Sequence, residues 1–218
     1  MPEDLVLVER LSRLYSGVLA DSLDRLDVRD HVMAHTLRPL WPEALVVGRA
    51  LTVLAVEVYA RTEPPYAGEI AAVDALRPGA VLVATTNGAT SAALWGELLS
   101  TAAQARGARG AVVDGFTRDA RKIRERGFPV FTTGVHPADS AGRLDVIAHD
   151  VPIRCGGVLV QPGDYIFGDF DGVVVIPADL APEVVRLAEE KVRAENHLRD
   201  DLRAGMRVHD AFAKHGVL

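Results

Sequence analysis

Between residues 5 and 27, apolar side chains recur at steps of three and four, through Leu5, Val8, Leu11, Leu14, Val18, Leu19, Leu23 and Leu26. That period lays them along one face and predicts a helical N-terminal segment. Pro39 and Pro42 then impose a turn, because proline lacks the amide donor that a helix or central strand uses. Residues 45–58 are rich in Val and Leu and predict one or two strands, with Gly48 marking a bulge or bend. The polar stretch Arg61–Tyr66 predicts an exposed loop.

From Pro78-Gly79 onward the pattern becomes regular. Ala80–Thr85 is an apolar run of buried-strand type, and Leu94, Leu98, Ala102 and Ala105 mark a helix that stops at Gly107. Ala111–Asp114 predicts a second strand, Asp119–Arg126 a helix ending at Gly127, and Pro129–Thr132 a third strand. Strands alternating with helices across short links imply parallel strands joined by crossover helices. In residues 150–177 the period shortens to hairpin spacing: Gly157–Gln161, Tyr165–Phe167 and Val173–Ile176, punctuated by Pro162-Gly163-Asp164 and Asp169-Phe170-Asp171-Gly172. The turns Arg77-Pro78-Gly79 and Gln161-Pro162-Gly163 faintly echo one another. A long helix runs from Pro182 to about Ala204, closed by Gly205, before a short one holding Val208, Ala211 and Phe212. The expected fold is α/β: a parallel βαβαβ core, a smaller, partly antiparallel β-unit and a long C-terminal helix. We expect a single domain over residues 1–218, with 183–218 as its helical tail.

Composition narrows the function classes. The 218 residues carry a net charge of −6, which disfavours a dedicated nucleic-acid binder. Cys155 is the sole cysteine, so no internal disulfide or multi-cysteine zinc site exists. The acidic start Met1-Pro2-Glu3-Asp4 lacks the features of a secretory signal, and residues 44–60 are interrupted by Arg49 and Glu57. A cytoplasmic protein that does not bind membranes is expected.

Phosphate-loop, dinucleotide, zinc-protease and nucleophile-elbow motifs are all missing. His31 and His35 stand four apart but have no third ligand, and are expected to be solvated loop histidines. His136 and His149 are assigned to surface loops, and Cys155 to a small buried site. Residues 118–126 hold five basic and two acidic side chains without interleaved aromatics, which fits a solvated helix face from Arg121 onward. Arg118 and Asp119 differ, because they follow a parallel strand at its carboxyl end, where α/β folds bind ligands. An arginine there can grip a carboxylate through its planar fork, and an aspartate can hold a hydrated divalent cation. Alternatively, Asp119 caps the next helix and Arg118 pairs with a neighbour. Trp95-Gly96-Glu97-Leu98-Leu99 lies at the previous crossover, where free amides of Leu98 and Leu99 at a helix start would attract an anion. The basic island opening at Arg118 suits the capture of a small dianion.

Gly96-Glu97-Leu98-Leu99, the twenty residues from Leu98 to Thr117, then Arg118-Asp119 resemble the D-x20-R-D signature of the class II 4-hydroxy-4-methyl-2-oxoglutarate/4-carboxy-4-hydroxy-2-oxoadipate aldolases. That superfamily, called RraA-like, also contains the regulator of ribonuclease activity A. Val112-Val113-Asp114-Gly115, Gly127-Phe128-Pro129-Val130-Phe131 and Asp169–Pro177 strengthen the likeness. The resemblance implies an RraA-like three-layer fold and a divalent-metal-dependent lyase. Such an enzyme cleaves a 4-hydroxy-2-oxo acid to pyruvate by a retro-aldol reaction and also decarboxylates oxaloacetate. It implies that Gly96, Glu97, Leu98, Leu99 and Arg118 bind substrate. Asp119 would ligate Mg²⁺ (or Mn²⁺) directly, and Glu97 would hold a metal-bound water. Glu97 departs from the family aspartate by one methylene. A glutamate from a neighbouring subunit is also implied, with Glu195 the candidate and Glu190 second, in a homotrimer or hexamer with its site at a subunit boundary. The alternative the resemblance offers is a non-catalytic regulator that docks onto a ribonuclease or another protein.

Overall fold

The computed structural model describes residues 3–218. Two helices open it, α1 (Glu3–Leu11) and α2 (Ser16–Asp24), followed by strands β1 (Arg38–Pro39) and β2 (Val46–Glu57) and helix α3 (Ala67–Asp74). The regular part is β3 (Ala80–Thr85), β4 (Ala93–Trp95), α4 (Glu97–Ala105), β5 (Gly110–Thr117), α5 (Ala120–Arg126) and β6 (Val130–Val135). After it come β7 (Leu144–His149), β8 (Ile153–Cys155), β9 (Val158–Val160), β10 (Tyr165–Gly168) and β11 (Val173–Ile176). Helices α6 (Ala181–Arg203) and α7 (Val208–His215) close the chain.

A nine-stranded mixed sheet runs in the order β1-β6-β5-β3-β2-β10-β11, with β4 added to β5 and β7 to β2. Strands β3, β5 and β6 are parallel, as the alternating pattern predicts, and β2 joins them in parallel through β3. Every residue of β3 is buried, because both faces of the sheet are covered. Leu82 and Ala84 face the helices with Ala72, Ala103 and Ile123, whereas Val81 and Val83 face Phe131, Val158 and Ile166. A third core packs α1, α2 and α6 on Tyr165, Phe167 and Ile176. The sheet therefore curls around one cluster while helices cover its outside.

The structure corrects several local expectations. The apolar N-terminal stripe is split into two helices, because the Asp169 carboxylate accepts hydrogen bonds from the Ser16 amide (2.9 Å) and hydroxyl (2.8 Å) and fixes a new helix start. Leu94 belongs to a short strand and not to the following helix. The hairpin region does not form one separate unit: β10–β11 extends the main sheet through β2, and only β8–β9 stands apart. His149 ends strand β7, which the pattern did not reveal. His31 is buried, and the segment carrying His31 and His35 is not helical, so their spacing of four does not place them on one face. No helix among the described residues is long and apolar enough to cross a membrane.

Gly48 makes no bulge; pairing runs through it in register. It permits close approach instead, since a Cβ there would sit 2.3 Å from the Gly79 carbonyl oxygen. Gly48→Ala is expected to cost about 2 kcal/mol, as overpacking against fixed backbone does. Urea unfolding checks it; an unchanged midpoint would show that β2 and the Pro78-Gly79 turn part freely.

Candidate active site

The site is assembled at the carboxyl ends of the parallel strands by a small piece of backbone. Strand β4 pairs in parallel with the end of β5, Trp95 opposite Thr117. The Trp95 carbonyl accepts from the Arg118 amide (2.9 Å) and from the Thr117 hydroxyl (3.0 Å). The Trp95 ring stacks on Phe128 and donates from Nε1 to Ser100 Oγ (2.8 Å), and Ser100 donates to the Gly96 carbonyl (3.0 Å). These bonds bring the start of α4 against Arg118 and Asp119. Gly96 makes the contact close: a Cβ would lie 3.2 Å from both Arg118 Cγ and Asp119 Oδ2, so those side chains would have to shift.

Asp119 precedes α5 in the left-handed region (φ 59°) and makes no side-chain cap for that helix. Its Oδ2 instead faces the start of α4, accepting a long bond from the Glu97 amide (3.4 Å). The simple capping alternative for Asp119 is therefore not what the chain does. The first amides of α4 have no acceptor in the preceding turn, and the residue ahead of them is a glycine with no side chain to cap them. An exposed carboxylate thus stands beside uncapped amides.

Arg118 lies between two acids. Its Nη2 is 3.1 Å from Asp139 Oδ1 and its Nε 3.9 Å from Asp119 Oδ2. Asp139 in turn accepts from the Tyr66 hydroxyl and, at Oδ1, from the Ser140 amide (2.9 Å). Behind it, buried Glu69 accepts from Ser140 Oγ (2.9 Å), and burial pushes its carboxyl above the usual range. The Glu97 carboxylate turns toward α5: Oε1 accepts from Thr101 Oγ1 (2.8 Å) and Arg126 Nη2 (2.5 Å). Thr101 first and Arg126 second hold it below the ordinary glutamate range.

The structure thus brings Gly96, the Glu97 backbone, Arg118 and Asp119 together, and directs the Glu97 side chain to Arg126. Leu98 stands exposed on the first turn of α4, with Leu99 beside it half-buried. Glu195 is placed on α6, where its carboxylate accepts from Tyr15 and lies 3.8 Å from Lys191. Glu190 is bound to Arg186 (2.5 Å). Cys155 is buried, its thiol pushed up by burial and aimed at the Ala84 carbonyl, which makes it an inert packing residue. Sequence reasoning missed Asp139, Tyr66 and Arg126. The carboxyl-end rule that selected Arg118 applies equally to the loop after β6, which carries Asp139. No local pattern marks Tyr66.

Among the described residues no three His, Cys, Asp or Glu side chains converge as a metal cage. Asp119, an exposed carboxylate beside open amides, fits a hydrated hard cation of the Mg²⁺ type, which takes one or two carboxylates and keeps most of its waters.

The family model described as RraA-like, Aldolase/RraA, matches residues 17–175. The chain belongs to this RraA-like family. Protein DlpA of Legionella pneumophila subsp. pneumophila is 31% identical over 195 residues; the match covers 86% of this chain and 31% of DlpA, so the chain spans less than a third of that relative. A Halalkalibacterium halodurans protein named "Putative 4-hydroxy-4-methyl-2-oxoglutarate aldolase" is 34% identical over 185 residues, covering 84% of this chain and 81% of its own. Streptomyces coelicolor RraAS2, described as an unusual member of the RNase ES inhibitor RraA protein family, superposes with a TM-score of 0.80 at 32% identity, covering 88% of this chain and 96% of its own. The curled sheet with its crossover helices is thus an RraA-like fold.

Glu69 gives the site a pH signature. Its raised pKa means that ionisation opposes folding, so its penalty is absent below the ordinary glutamate range and grows as pH rises through the raised value. Glu69→Gln, which retains an acceptor for Ser140, is therefore expected to melt higher than wild type at pH 7, with the gap closing in acid. A gap independent of pH between 4 and about 8 would contradict this assignment.

Proposed function

We propose that the chain is a divalent-metal-dependent lyase that releases pyruvate from a 4-hydroxy-2-oxo acid by retro-aldol cleavage, and also decarboxylates oxaloacetate. The observation that carries this is the approach at Gly96, which sets the Arg118 fork and the Asp119 carboxylate against the open amides of α4. A divalent cation, Mg²⁺ or Mn²⁺, held by Asp119 would supply Lewis acidity at the 2-oxo and carboxylate oxygens of the substrate.

The chain's own groups account for binding and orientation. Arg118 grips the substrate oxo-acid, and the amides at Leu98 and Leu99 receive its carboxylate in a field that favours negative charge. Asp139 and Tyr66 fix the guanidinium from behind, so Arg118 needs little reorganisation on binding. The reaction removes the proton of the 4-hydroxyl, breaks the C3–C4 bond and leaves its electron pair on the pyruvate fragment, which takes up a proton at C3. Glu97 orients a water for the proton transfers. Its two bonds both fall on Oε1, leaving Oε2 for that water, and its depressed pKa keeps it an acceptor. Self-association as a trimer or hexamer, with the site at a subunit boundary, belongs to the same proposal. The support for it is membership of the RraA-like family and the aldolase name carried by the Halalkalibacterium relative.

The test is pyruvate release from 4-hydroxy-4-methyl-2-oxoglutarate and from oxaloacetate, with Mg²⁺ or Mn²⁺ and then with chelator. Metal-dependent turnover is expected; no turnover of either substrate would turn the proposal toward a non-catalytic, protein-docking regulator. Asp119→Ala is expected to remove the metal dependence, and Arg118→Ala to lower kcat/KM at least about 10-fold, since a hydrogen bond to a charged group contributes about 1.5–3 kcal/mol. Full activity in both variants would place the chemistry elsewhere. Asp139→Asn keeps the shape but loses the charge behind Arg118. It is expected to raise KM about 10-fold with a smaller effect on kcat, the pattern of lost ground-state binding. An unchanged KM would show that Arg118 needs no support.

A further inference from the structure

A cavity lies at the end of the sheet opposite Arg118. It measures about 870 Å³ and sits where β3 and β5 begin. Its origin is a parting of strands. On one edge, β2 pairs with β3 from Arg49 to Leu54. On its other edge, β10 pairs only up to Arg49 and β7 only from Val53 onward. Between them the edge is bridged by turns alone: Ala50 bonds to Gly163 and Asp164, and Thr52 to the Asp150 amide. The two echoing turns, Pro78-Gly79 and Pro162-Gly163, face this gap together, so the faint repeat in the sequence becomes a pair of walls.

The lining is electrostatically uneven. Arg49 is already matched, with Asp4 at 2.5 Å, the Gly163 carbonyl at 3.0 Å and the Tyr165 ring beneath it. Asp4 also accepts from Tyr165 (2.8 Å) and is thereby used up. Arg77 and Arg109 line the same cavity, and neither has a carboxylate within ion-pair distance among the described residues. Asp150 and the His149 ring also line it. Leu5, Val8, Leu51 and the two prolines supply apolar wall. Two guanidinium forks without an ion pair among the described residues, beside an apolar wall in a cavity of ligand size, make a recognisable combination.

We propose that this cavity binds a small organic anion, its carboxylate or phosphate head held by Arg77 and Arg109 and its body against Leu5, Val8 and Leu51. The site is separate from the Arg118 site and does not depend on the lyase proposal. Strand β5 spans the two, with Arg109 before its first residue and Arg118 after its last, about 30 Å apart if the eight-residue strand is fully extended.

Isothermal titration of the full chain with citrate and, separately, with ADP tests the proposal and distinguishes a carboxylate head from a phosphate head. Saturable binding of at least one probe is expected. Arg77→Ala and Arg109→Ala should each weaken it at least about 10-fold, while Arg118→Ala leaves it unchanged. Circular dichroism confirms that the variants fold, and Arg109→Lys, which keeps the charge without the fork, should recover part of the affinity. No binding of either probe tighter than about 1 mM would overturn the proposal. Loss of binding in Arg118→Ala alone would overturn it as well, by moving the anion to the other end of the sheet. So would a change of oligomeric state in Arg77→Ala without any anion binding, which makes the cavity a contact between copies.

Discussion

The Trp95 carbonyl is the point on which the site depends. One oxygen accepts both the Arg118 amide and the Thr117 hydroxyl, and so ties the end of β5 to the entry of α4. A buried carbonyl with two donors is fully satisfied. Because the tie is backbone to backbone, the position of Arg118 does not rest on a flexible side chain. The neighbouring Gly96 suits the same closeness: the tie draws the two segments to a separation at which a Cβ would press on the Arg118 and Asp119 side chains.

A second constraint lies just upstream, in β5 itself. Between Val113 and Phe116 two residues of β5, Asp114 and Gly115, stand against one of β6, Thr133. Gly115 has φ 158° and packs where a Cβ would meet Thr86 at 2.4 Å. The carbonyl freed by the bulge is satisfied by the hydroxyls of Thr132 and Thr133, both at 2.8 Å. Asp114 bonds the Gly156 amide (2.8 Å), tying the bulge to the β8–β9 turn. A bulge of this kind turns the strand end without ending the sheet, which is how a buried strand delivers two charged residues to a crevice.

Charge in the site is arranged as an alternation. Asp119, Arg118, Asp139 and Tyr66 form a chain in which the single cation has acids on both sides, and the Arg126–Glu97 pair flanks it. Part of the basic island in residues 118–126 is thus neutralised locally: Arg126 by Glu97 and Arg121 by Glu125. Within the island Arg118 is the cation that reaches the strand-end crevice, and its side chain stays about a third exposed.

The alternation of apolar runs with glycine stops was enough to define the parallel core, because a strand buried on both faces and a crossover helix each leave a local period. Arg118 and Asp119 were legible too, since their place after a strand follows from sequence neighbours. The N-terminal break, β7 and the attachment of β10–β11 to the main sheet were not, because each depends on a partner far along the chain: Asp169 for Ser16, the upper half of β2 for β7, the lower half for β10. The same holds within the site. The sequence by itself determined which residues stand at the strand ends and which face of each element is apolar. Only the tertiary structure decided that Asp139 and Tyr66 lie behind Arg118, that Asp119 turns away from its own helix, and that Glu97 meets Arg126. Those pairings are set by strand register and by a one-residue bulge, and no period along the chain encodes them.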